Sequence, residues 1–179
     1  MDRATAANRW IYGGAYAALS LLFILFYILP ADLGPNGYPG PDLLLCVTFA
    51  WVLRRPHYLP TALIAAVFLL TDFLYMRPPG LWTALVVLAV ERLRMREAAL
   101  REQPLLVELG TVAAVMVVLH LAAFVLLLVF GVPQAAFGLM LLQLIATLVA
   151  YPMVVILAQM VFKVHKLSPV DFDAGRRMR

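Results

Sequence analysis

The sequence predicts an all-α integral membrane protein with about six transmembrane helices and both termini on the same, cytoplasmic side. Three observations carry this. Of the 179 residues, 64% are apolar and only 13% charged, against the 45–50% apolar content usual for a soluble domain. A chain of this size cannot bury that much apolar surface in one core, so lipid must serve as its solvent. The apolar residues fall into six runs separated by turn-rich or charged segments. The basic residues alternate with those runs in a way that only six spans satisfy.

The first span covers about 10–29, and Gly13, Gly14 and Ala18 give it a small-residue stripe suited to helix contact. No Ala-x-Ala cleavage site follows it, so it reads as an uncleaved span rather than a signal peptide. The loop from Pro30 to Pro41 is rich in proline and glycine. The second run, about 42–55, is short. Asp42 and the long stems of Arg54 and Arg55 lengthen it if the arginines snorkel to the interface. The third covers about 59–76. The fourth, about 80–92, is expected to continue as a helix into water to about residue 102, because Glu91 to Glu102 is rich in Ala, Leu, Arg and Glu; Pro104 then limits it. The fifth and sixth cover about 105–130 and 135–162, joined by Gly131 to Gln134, with Tyr151 and Pro152 marking a kink. Residues 165–179 read as a cytoplasmic tail of a single membrane domain.

With six spans, Arg3, Arg9, Arg54, Arg55, Arg92, Arg94, Arg96, Arg101, Lys163, Lys166, Arg176, Arg177 and Arg179 lie on one side and Arg77 alone on the other. That is the positive-inside pattern, and merging any hairpin would spoil it. The net charge of +4 therefore reports orientation and contact with anionic lipid rather than nucleic acid.

Little in the chain can do covalent chemistry. Cys46 is the sole cysteine, which excludes an intrachain disulfide and Cys-based metal motifs; inside an apolar run it reads as a small buried hydrophobe. The serines are Ser20 and Ser168 only, and neither stands in a nucleophile motif. There is no His-Glu metal motif within a span and no glycine-rich phosphate loop. No catalytic residue, metal or cofactor is expected, and the chain reads as a non-enzyme.

Two polar features inside the spans stand out. Asp72 lies four residues before the end of the third run, roughly 6 Å below it. Either it is hydrated or paired with Arg77, or it organises the Arg77-Pro78-Pro79-Gly80 turn or meets a partner's donor. His120 and Gln143 lie at matched depth on the fifth and sixth spans and are expected to hydrogen bond, fixing the two helices; a proton relay or ligand site is the less economical reading. The charged Glu91 to Glu102 segment, with Arg92 and Arg94, is the longest loop-side surface for a cytosolic partner or for lipid headgroups.

The stretch from Pro41 to Arg96 resembles the rod shape-determining MreD family, in a form like that of alphaproteobacteria. The residues that carry the likeness are Pro41-Asp42-Leu43-Leu44-Leu45, Arg54-Arg55-Pro56-His57-Tyr58-Leu59-Pro60, Asp72-Phe73-Leu74, Arg77-Pro78-Pro79-Gly80-Leu81-Trp82 and Glu91-Arg92-Leu93-Arg94. The resemblance implies a non-enzymatic component of the cell-elongation and peptidoglycan-synthesis machinery in the bacterial inner membrane. Its partners would be MreC, RodA with a class B penicillin-binding transpeptidase, and MreB directly or through adaptors. Asp72, Arg77, Pro78, Pro79 and Gly80 on the outer side, and Arg54, Arg55, Pro56, Arg92 and Arg94 on the inner side, are the residues it would offer them. The family's fold is similar to the substrate-binding subunits of energy-coupling-factor transporters. The alternative function is accordingly a vitamin-type small-molecule binding subunit.

Overall fold

A computed structural model describes residues 3–28, 40–54, 58–101 and 103–162. Among the described residues there are six helices and no strand: α1 Arg3–Ile28, α2 Leu43–Arg54, α3 Thr61–Leu74, α4 Leu81–Arg101, α5 Leu105–Val129 and α6 Phe137–Phe162. Three contain a stretch long and apolar enough to cross a membrane, Trp10–Ile28, Leu105–Val129 and Phe137–Ala158. At 1.5 Å per residue the 12 residues of α2 span about 18 Å and the 14 of α3 about 21 Å, short of a hydrocarbon core of about 30 Å.

The second helix is the centre of the molecule. Every residue from Leu44 to Arg54 is buried, and α1, α4 and α6 pack around it. A helix that is apolar on all sides belongs where protein surrounds it. Farther out, α3 packs on α4, α4 on α5, and α5 on α6. Many large apolar side chains are left exposed, among them Leu22, Leu25 and Phe26 on α1, Val118, Leu128 and Val129 on α5, and Val149 and Met153 on α6. An outward apolar face of this kind is suited to contact with lipid or with another protein.

The face of α1 turned to the bundle is Gly13, Tyr16, Ser20 and Ile24, spaced at helical periodicity. Of the small residues expected at a helix contact, Gly13 lies in it, 3.7 Å from the Leu63 side chain if given a Cβ, whereas Gly14 and Ala18 are exposed. The Tyr16 hydroxyl meets Thr48 Oγ1 at 2.9 Å and joins α1 to α2. Cys46 is buried, and its thiol donates to the Thr147 carbonyl of α6 at 3.4 Å. The sixth helix runs through Pro152 to Phe162 without interruption. Arg55, Pro56, most of the Pro30–Pro41 loop and the 165–179 tail lie outside the described residues.

Candidate functional site

The turn between α3 and α4 is built by two devices. The first closes α3. Arg77 N–H donates to the Asp72 carbonyl at 3.0 Å and Tyr75 N–H to the Thr71 carbonyl at 2.9 Å. Met76 takes the left-handed conformation, φ 51°, a position more often given to glycine. The second opens α4. Its N-cap position is Gly80, φ 85°, which has no side chain to cap the helix. The fully buried Asp72 does so from α3. Its Oδ2 accepts from Gly80 N–H at 2.9 Å, Thr83 N–H at 3.2 Å and Thr83 Oγ1 at 2.8 Å. A carboxylate here satisfies amides that would otherwise be orphaned and sits against the positive end of the helix dipole.

Asp72 thus organises the turn, and its side chain makes no ion pair with Arg77 among the described residues. The Arg77 guanidinium stands instead over the rings of Tyr75 and Trp82, 5.3 Å and 5.2 Å from their centroids, in cation–π geometry. Asp42 caps α2 in the ordinary local way: its Oδ1 accepts from Leu45 N–H at 2.9 Å, and its own N–H donates to Thr147 Oγ1 at 3.0 Å.

These elements converge on a cavity of about 300 Å³. Asp42, Arg77, Pro78 and Trp82 line one side; His120, Gln134 and Gln143 contribute polar groups on the α5–α6 side, among apolar residues such as Leu127 and Met140. His120 Nδ1 lies 2.9 Å from the Met116 carbonyl. Since a carbonyl only accepts, Nδ1 is the donor, and a neutral ring leaves Nε2 as an acceptor. The expected His120–Gln143 hydrogen bond is not formed. The two residues line the same cavity, but His120 finds its partner one turn back on its own helix and packs edge-on to Trp82 at 5.2 Å.

At the opposite end the arginines expected to face partners are divided. Arg54 is 3% exposed and pairs with Glu108 of α5 at 3.0 Å; it does not snorkel to the surface, because the central position of α2 leaves its last turn enclosed by protein. Arg94 is also committed internally, to Thr61 Oγ1 at 2.7 Å, Glu91 at 3.2 Å and the Leu59 carbonyl. It fixes the start of α3 to α4. Arg92 alone of the described members of this group is exposed.

Three residues have partners that the sequence reading did not assign to them. Glu108 is a lone carboxylate in the fifth run, on the same side of the chain's alternation as Arg54, and that match was a usable signal. Asp42, directly before an apolar run, carries the N-cap signal. Thr83 offered none, since its role depends on a carboxylate eleven residues away. Among the described residues no three His, Cys, Asp or Glu side chains gather to hold a metal. Comparison with family models, characterised proteins and solved structures finds no match.

Proposed function

We infer that this chain is a six-span inner-membrane protein of the MreD type, with both termini inside. It would act as a non-enzymatic scaffold and regulator of the cell-elongation complex. It binds MreC, and connects to MreB and to RodA with its transpeptidase. The observation that carries the reading is the convergence of separated motifs. Asp42, Arg77, Pro78, Leu81 and Trp82 form a rim on one cavity, and Asp72 holds the start of α4 behind them through Gly80 and Thr83; that rim faces outward if thirteen of fourteen basic residues lie inside. Short α2 and α3 are compatible with six spans, because non-helical ends are tolerated at membrane depth where protein covers them. Without catalytic groups the chain acts by differential binding, favouring one conformation of a partner.

Copurification from native membranes tests this. Arg77→Gln should leave the protein inserted and abundant but lower recovery of MreC and the synthase pair. Wild-type recovery and rod shape in that variant, at matched expression, would remove the rim from the account.

The cavity favours a second reading, a small-molecule binding subunit with a fold like that of energy-coupling-factor substrate-binding proteins. Its polar groups amid apolar walls suit a compact ligand. A small molecule released from the purified protein, with no elongation protein recovered, would select this reading over the scaffold.

A further inference from the structure

Two arginines on the α4–α5 side have no partner among the described residues. Arg92 and Arg96, one helical turn apart, are exposed and make no ion pair or hydrogen bond among the described residues. Below them a groove of about 1000 Å³ runs between α4 and α5. Its walls include Leu85, Leu88, Val107 and Val118, and beside Gly110 there is open space within 4 Å of where a Cβ would stand. The one carboxylate on the lining, Glu91, is drawn to Thr61 and Arg94. The Thr111 hydroxyl turns back to the Val107 carbonyl at 2.8 Å. The polar character of the groove is therefore cationic and confined to one end.

We propose that this groove is a binding site for an anionic glycerophospholipid, its phosphate held by Arg92 and Arg96 and its acyl chains lying between α4 and α5. Guanidinium groups match phosphate oxygens in charge and in fork geometry. The volume, at about 30 Å³ per water-sized group, holds roughly thirty such groups, which suits acyl chain rather than a free ion. The α5 N-terminus, whose N-cap Pro104 makes no side-chain cap, adds the positive end of its dipole to the same end of the groove. The site rests on the membrane orientation proposed above, which puts both arginines in the leaflet where anionic lipids concentrate.

The test uses the full chain, purified in dodecyl maltoside and delipidated, then offered dioleoylphosphatidylglycerol, dioleoylphosphatidylcholine or inorganic phosphate. Retained lipid is read by native mass spectrometry and stabilisation by thermal melting. Phosphatidylglycerol should be retained over phosphatidylcholine by roughly thirtyfold, the value for two basic side chains at about 1 kcal/mol each. Arg92→Gln with Arg96→Gln should abolish the preference. Ala114→Phe, which fills the groove with both arginines intact, should lower retention. Equal retention of the two lipids, an unaffected Arg92→Gln/Arg96→Gln protein, full retention by Ala114→Phe, or equal stabilisation by phosphate alone would overturn the site. So would a copurified helix of another protein that phosphatidylglycerol does not displace. Cysteine labelling at position 97 reads orientation separately: no preference in a protein with Glu97 inside sinks the lipid site alone, and Glu97 outside sinks both.

Discussion

Arg54 and Glu108 form an ion pair at 3.0 Å with both side chains 1% exposed, linking the end of the central helix to the start of α5. Removing one partner leaves the other charged and buried. Arg54→Met or Glu108→Gln should each cost about 3–5 kcal/mol, and Arg54→Met with Glu108→Leu should recover most of it. Unfolding in micelles measures this; a single substitution costing under about 1 kcal/mol would mean that water or lipid headgroups reach the pair.

Asp72 on α3 caps the start of α4. Asp72→Ala should destabilise by about 2 kcal/mol, combining a lost cap with orphaned amides, and Thr83→Val by about 1 kcal/mol. Asp72→Asn keeps one acceptor oxygen but loses the charge, so it should fall between the wild type and Asp72→Ala. Full stability in Asp72→Ala would exclude the capping role.

Met76 holds φ 51° without a glycine's freedom and is exposed. A left-handed conformation costs a side-chain-bearing residue about 1–2 kcal/mol. Met76→Gly should therefore stabilise the protein by about 1 kcal/mol, read as a raised melting temperature. A lowered one would show that Met76 makes a contact worth more than the strain.

His120 and Gln143 share a cavity without a mutual hydrogen bond. A double-mutant cycle to alanine should be additive within about 0.5 kcal/mol. Coupling well above about 0.6 kcal/mol, the average for interhelical hydrogen bonds in membranes, would restore the bond.

Orientation follows from the charge distribution. Labelling at Gly37 and Gln134 should occur from outside, and at His57, Glu97 and Arg179 from inside. An outward-facing Glu97 would end the six-span account.

The helices were legible because each is a local object. α4, α5 and α6 run close to their sequence expectations, since Gly80, Pro104 and the 131–136 turn punctuate them, and apolar composition announces a membrane protein whatever the packing. The short length of the second run was equally visible. Its meaning was not: only the packing of α1, α4 and α6 around α2 made it the centre of the molecule and turned Arg54 inward to Glu108. The same limit governed the site. Sequence brought Asp72 within reach of the 77–80 turn but left open whether its carboxylate would meet Arg77 or the turn. The answer lay in the orphaned amides at the start of α4, which a glycine cap cannot satisfy. The depth match of His120 and Gln143 is a one-dimensional statement, and whether two side chains touch also depends on helix rotation, which registers no trace in residue counts. By itself, then, the sequence determined composition, punctuation and the alternation of charge. Tertiary structure decided which polar groups found each other, because a buried hydrogen bond or ion pair requires approach to about 3 Å, and helices with apolar character on every side do not encode their own rotation.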